Sequence, residues 1–186
     1  MHGPLTAAFA AGMMLLGASG AGAQADPRAG SPSIDASVGT GGGNRDESEA
    51  WGRLLTGSLR VFLTSRFGIE AEVTQVSRSW AYESGAGEET EWSAALGVVM
   101  RTRPRRLSAF GSGGVLWLRE RSTGSFVEPP GTPVPFDTIY RSLGLHFGGG
   151  ADVRIAGPLL AYGRVQCFLA SNYWLRVIGG VRIVVR

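Results

Sequence analysis

Lysine is absent from this sequence of 186 residues, and all 18 basic residues are arginine. Charged residues of every kind make up only 18%, below the roughly 25% of an ordinary soluble domain. The formal net charge of +3 is too small and too dispersed for the one-sided basic footprint of a nucleic-acid-binding protein. A single cysteine, Cys167, excludes an internal disulfide and any Cys-x-x-Cys redox or zinc pattern. The only histidines are His2 and His146, one of them at the extreme N-terminus, which leaves no two-histidine metal site or catalytic pair. No apolar run reaches the roughly 18 residues that a membrane-crossing helix needs. No metal, cofactor or catalytic set is expected from this inventory.

What is plentiful is glycine, 29 residues, about twice the usual share of roughly 7%. The N-terminus carries an apolar run, Leu5 to Ala18, followed by small residues that end in Ala23-Gln24-Ala25. This reads as a cleaved export signal over residues 1–25, although its first residues lack Lys and Arg. Residues 26–33, rich in Pro, Gly and Ser, read as a flexible leader. The expected folded domain is 34–186.

Beyond the leader, hydrophobicity alternates with period two, the mark of strands with one apolar face. Leu55, Gly57, Leu59, Val61 and Leu63 alternate with Thr56, Ser58, Arg60, Phe62 and Thr64. The same rhythm runs through Trp92 to Arg101, Ser142 to Asp152 and Trp174 to Val185. Eight strands are expected, near 34–43, 53–64, 68–80, 91–102, 107–119, 140–154, 159–170 and 173–185. Short connections at 65–68, 103–106 and 155–158 alternate with longer polar stretches at 44–50, 81–90 and 120–139; the last connection, at Ser171-Asn172, is again short. That asymmetry predicts an all-β, eight-stranded, antiparallel up-and-down transmembrane barrel with its short turns on the periplasmic side.

A soluble lipocalin-like barrel that binds apolar small molecules shows the same alternation with its apolar face inward. Three features favour the inverted arrangement. The polar faces are rich in small residues, among them Ser37, Gly39, Gly41, Ser58, Gly97, Gly144, Gly148, Gly150 and Gly180, which suit the narrow bore of eight strands. Trp51, Trp80, Tyr82, Trp92, Trp117, Tyr140, Tyr173 and Trp174 fall near the loop-side strand ends, as in an aromatic girdle at a membrane interface. Export without a spanning helix suits a closed barrel, the other structure that satisfies its backbone in lipid.

The glycine-rich segments "SLGLHFGGGADVRI" and "YWLRVIGGVRIVV", set in this architecture, resemble the small eight-stranded outer-membrane proteins of the OmpA/OmpX type. The resemblance covers Ile34 to Val185 and rests on pattern more than motif. It implies outer-membrane lipid as surroundings and a barrel-assembly machinery during biogenesis. That group usually ends in an aromatic residue, whereas this chain ends Val184-Val185-Arg186.

Long charged residues on the polar face are the candidate site. Asp35, Glu70, Glu72, Arg101, Asp152, Arg154 and Arg182 fall in the expected periplasmic half, Arg60 and Arg164 at mid-height, and Arg176 near the outside. Asp35 is expected to meet Arg182 across the closing seam, and Glu72 to meet Arg101 on the next strand. Buried charges need partners, so these residues are expected to form a lumenal Arg–carboxylate network that plugs the bore. His146 lies on the lumenal register and lacks the His-x-Ser pattern of barrel lipid deacylases. It reads as an interior histidine, and a lipid-modifying enzyme ranks third behind a structural or surface-interaction barrel and the lipocalin-like binder. The stretch Glu120–Ile139, with Pro129, Pro130, Pro133 and Pro135, reads as a stiffened loop for contact with an extracellular partner through Phe126, Val127, Val134 and Phe136. The basic turn Arg101 to Arg106 suits anionic headgroups, and Cys167 falls on the lipid-facing register as a small hydrophobe.

Overall fold

A strand with one apolar face has to hide its backbone edges as well as sort its side chains, and a ring of strands does both. The computed structural model describes residues 32–45, 52–82, 84–103, 106–128, 131–169 and 173–185. It contains β1 (Ser33–Arg45), β2 (Gly52–Phe62), β3 (Phe67–Tyr82), β4 (Gly85–Arg101), β5 (Leu107–Glu128), β6 (Thr132–Ala156), β7 (Leu159–Leu169) and β8 (Tyr173–Val185). Every strand pairs antiparallel with its sequence neighbours, and β1 closes the barrel against β8 from Ile34↔Val185 to Arg45↔Trp174. The eight-stranded up-and-down barrel anticipated from the alternation is the observed architecture. Among the described residues no helix is long and apolar enough to cross a membrane. The export signal, most of the leader, Trp51, Pro104-Arg105, Pro129-Pro130, Ser171-Asn172 and Arg186 lie outside the described residues.

The facing of the side chains follows parity. Ile34, Val38, Leu55, Leu59, Val61, Ile69, Val73, Leu96, Val98, Leu145, Val181 and Ile183 are exposed on the outside of the ring. Their alternation partners Asp35, Arg60, Glu70, Glu72, Thr74, Asp152, Arg164 and Arg182 are buried within it. Cys167 has the outward parity but is buried. The interior is not wholly polar, however. Phe62, Val99 and Phe110 fill the end nearest the short turns, and Leu116, Leu118, Phe168 and Trp174 cluster toward the other end.

Two expected loops are strands. The stretch 81–90, expected to be a connection, is mostly strand, since β3 runs to Tyr82 and β4 resumes at Gly85. Glu120–Ile139, expected to be a Pro-stiffened loop, is a hairpin, with β5 and β6 paired from Leu107↔Val153 to Glu128↔Thr132. Above the apolar belt both faces of a sheet meet water, so hydrophobic alternation fades while the backbone ladder continues. The hairpin tip turns at Gly131, whose φ of 114° suits glycine, and Gly131 N–H donates to Glu128 O at 2.6 Å.

The prolines fit because of their parity. Val127 N–H donates to Ser84 O on the β4 side at 2.8 Å. Odd-numbered residues of β5 therefore turn their backbone polar groups away from β6. Pro133 and Pro135 stand opposite Val127 and Ser125, so their missing donors face away from β5. Among the described residues the β7 ladder ends at Leu145↔Leu169 and residues 132–144 of β6 form a sheet edge, where proline is tolerated and blocks further pairing.

Candidate functional site: the bore and the raised sheet

Inside an eight-stranded ring, side chains from opposite walls reach one another. That reach decides which charges meet. Near the short turns, Arg101 Nη1 lies 3.2 Å from Asp35 Oδ2 and its Nη2 donates to Ser33 Oγ at 3.1 Å. Arg182 pairs with Asp152. At mid-height Arg60 Nε donates to Glu70 Oε1 at 2.7 Å. Arg164 bridges two carboxylates, with Nη1 2.9 Å from Glu70 Oε1 and Nη2 2.7 Å from Glu72 Oε2. Thr74 Oγ1 donates to Thr56 Oγ1 at 2.9 Å, just above Glu72.

The two specific pairings expected from the sequence, Asp35 with Arg182 and Glu72 with Arg101, are not formed. Asp35 meets Arg101 from β4, and Glu72 meets Arg164 from β7. Pairing is not confined to adjacent strands, because a guanidinium crosses the narrow bore. Arg154 sits half-buried at the short-turn rim, beside the register shift at Arg154/Ala156 that bends β6 against β7.

A second tier lies toward the opposite end and involves residues the sequence reading passed over. Arg176 pairs with Glu91 and donates to Ser93 Oγ at 3.0 Å. Arg78 pairs with Glu89 and reaches Glu91 Oε2 at 3.0 Å. Glu89 was hidden because its segment was read as a loop, and Arg78 because it stands two residues from an expected strand end.

Aromatic rings separate and support the cations. The Arg60 guanidinium lies 4.1 Å above the Phe110 ring centre, Arg101 3.5 Å above Phe62, and Arg176 4.1 Å above Phe168. Arg182 lies 4.7 Å from the Tyr162 ring centre and 5.0 Å from that of Phe110. Weakly hydrated guanidinium groups stack on ring faces more readily than ammonium groups do, which suits a bore whose cations are all arginine. Parity already carried this signal, since Phe62 shares a face with Arg60, and Trp174 with Arg176.

The same parity corrects the aromatic girdle. Trp92 and Trp117 face outward at 46% and 43% exposure. Trp174, at 3%, is inside the bore, because its register matches Arg176 and not Leu175. Phe110 is interior too. Trp80, Tyr82 and Tyr140 belong to the inner parity of the raised sheet, above the belt. Trp80 stacks on Phe136 with centroids 6.0 Å apart and on Tyr82 at 5.9 Å, and Phe126 joins Phe136 at 6.3 Å. A Cβ at Gly87 or Gly124 would meet the Trp80 or Phe136 ring, so these glycines let the rings lie flat on the sheet. Tyr173 begins β8, and its side chain is outside the described set.

His146 is buried beside Phe168, ring centroids 6.3 Å apart. Neither ring nitrogen is hydrogen-bonded to a serine or carboxylate side chain among the described residues. No group of three or more His, Cys, Asp or Glu suited to a metal ion occurs among the described residues.

No family model matches the chain, and no curated protein matches it by sequence. Solved structures do match by shape. The attachment invasion locus protein Ail of Yersinia pestis superposes with a TM-score of 0.57 at 14% identity, over 84% of this chain and 99% of that one. OprG, an outer-membrane protein of Pseudomonas aeruginosa, gives 0.58 at 12% identity, over 84% and 96%. A major outer membrane protein of Thermus thermophilus gives 0.59 at 12% identity, over 83% and 100%. The chain thus has the fold of small outer-membrane β-barrels.

Proposed function

We propose that this chain is a non-enzymatic integral outer-membrane barrel, delivered by a cleaved export signal and folded by the barrel-assembly machinery. Its bore is plugged by Arg–carboxylate pairs, and its raised β3–β6 sheet is the surface that meets an extracellular partner. One observation carries the membrane reading, namely the inversion of faces. Leu59, Leu145 and Val181 are exposed on the outside, whereas Arg60 and Arg182 are buried in the bore. Water would reverse that arrangement, and hydrocarbon requires it. The same inversion argues against a lipocalin-like binder, which needs an apolar cavity. That His146 has no serine or carboxylate partner among the described residues argues against a lipid-modifying enzyme.

The plug reading rests on buried ion pairs and stacked rings at successive heights, from Phe62 and Phe110 to Trp174. The surface-interaction reading rests on the aromatic cluster of Trp80, Tyr82, Phe126 and Phe136, held above the belt on a paired sheet. Ail, a barrel of the same fold, has been crystallised with the heparin analogue sucrose octasulfate, so ligand binding is within the fold's range.

Membrane fractionation with a heat-modifiability gel tests the first part. The protein is expected in the outer-membrane fraction, with different mobility before and after boiling, and recovery in the soluble periplasm without detergent would refute it. Planar-bilayer recording tests the plug, since steady nanosiemens-level conductance is incompatible with a filled bore.

A further inference from the structure

On the outer face of the raised sheet, cross-strand register sets Trp92, Arg119 and Arg141 side by side. Because odd residues of β5 turn their backbone groups toward β4, Arg119 and Arg141 form the non-hydrogen-bonded kind of antiparallel pair, in which side chains stand closer. Like charges directly opposite one another are destabilising. Both arginines are exposed, and neither is ion-paired among the described residues. One row higher, Arg121 is neutralised by Asp137 through hydrogen bonds of 3.0 and 2.6 Å.

One row lower on the same face stand Ala94, Trp117 and Leu143. Leu143, at 77%, is the most exposed large apolar side chain described. The surface is therefore amphiphilic over a single step of the ladder, with two unneutralised guanidinium groups beside an interfacial tryptophan and an apolar row directly beneath. A free anion would use only the upper half.

Resting on the reading that the apolar belt lies in a bilayer, we propose that Arg119 and Arg141 dock the phosphate of an anionic lipid. The lipid belongs to the leaflet facing the raised sheet, and its acyl chains lie along Trp117 and Leu143. Guanidinium forks suit phosphate oxygens, and a bound phosphate removes the repulsion between the two cations.

The test uses the full barrel in phosphatidylcholine vesicles doped with brominated phosphatidic acid or, in a parallel series, brominated phosphatidylcholine. Quenching of Trp92 and Trp117, which flank the pair, reports the local lipid. Apparent enrichment of phosphatidic acid over phosphatidylcholine is expected to be about fivefold or more. It is expected to vanish in R119Q/R141Q and to persist in R119K/R141K and R121Q. Heat-modifiable mobility confirms that each variant is folded, and the single R141Q is read the same way if the double variant does not fold. Equal quenching by the two lipids, enrichment that survives R119Q/R141Q, or displacement by inorganic phosphate would each overturn the lipid site while leaving the membrane reading intact. No quenching by either lipid would sink both.

Discussion

The bore and the raised sheet are built partly from the same strands, β3 to β6, yet they handle charge in opposite ways. In the bore Arg60, Arg101, Arg164, Arg176 and Arg182 each lie against a carboxylate or a ring, as Arg60 does against Glu70 and Phe110. On the raised sheet the Arg121–Asp137 pair is open to solvent, and Arg119 and Arg141 have no ion-pair partner among the described residues. The difference teaches where the energy lies. A buried ion pair adds little net stability but is costly to break, whereas an exposed pair is nearly neutral either way. The bore is a region of large penalties, and the sheet above it is one of small, adjustable contacts.

Removing one carboxylate from the bore should produce the largest effect. Glu70→Ala leaves Arg60 and Arg164 without their shared acceptor, and unfolding in lipid vesicles should lose about 3–5 kcal/mol. A loss under about 1 kcal/mol would mean that water screens the bore as it does the surface. Leu96→Arg places a charge in the outer belt and should cost roughly 2–4 kcal/mol. An unchanged urea midpoint would place that position outside the hydrocarbon.

Contacts of the raised sheet should matter less and act locally. Phe136→Ala removes a ring worth about 0.5–1.5 kcal/mol beyond its buried area. Hydrogen exchange should rise in the β3–β4 and β5–β6 hairpins and stay unchanged in β1, β2, β7 and β8. Replacing Pro133 and Pro135 with threonine restores edge donors, so light scattering should detect self-association with no change in barrel unfolding.

The smallest expected effect is that of acid on the Arg121–Asp137 pair. The hydrogen bond from Arg121 holds the Asp137 carboxyl below its ordinary range. A depressed carboxyl contributes above its unfolded value, near pH 4, and the contribution fades as pH falls through the lower folded value. Hairpin-tip protection factors, with the intrinsic pH dependence of amide exchange divided out, should thus be flat from neutral pH down to the ordinary carboxylate range and fall only below it. A fall that already begins near neutral pH would break the assignment.

Strand number and order were legible, and so was facing wherever the belt forces strict alternation, as where one parity carries Leu59 and Val61 outward and Arg60 inward; around 107–119 the alternation is weak, and only the structure gives the facing of β5. Phe62 and Trp174 were legible by the same rule. Trp174 was assigned to the girdle because tryptophan is common at interfaces, and parity is the stronger constraint. Glu89 and the upper halves of β5 and β6 were not legible, since Ser, Thr, Gly and Pro between 122 and 138 resemble a loop when neither face must be apolar. What holds them as strands is the ladder of backbone bonds, which is blind to side-chain polarity.

By itself the amino-acid sequence determined the ring of eight strands and, where the alternation is strict, the side of the wall a residue occupies, because a period of two leaves only one facing that suits lipid. Only the tertiary structure decided which arginine meets which carboxylate. Side chains in a narrow bore reach across it, and the stagger between distant strands that brings Arg164 to Glu72 is a property of the closed barrel, carried by no single strand.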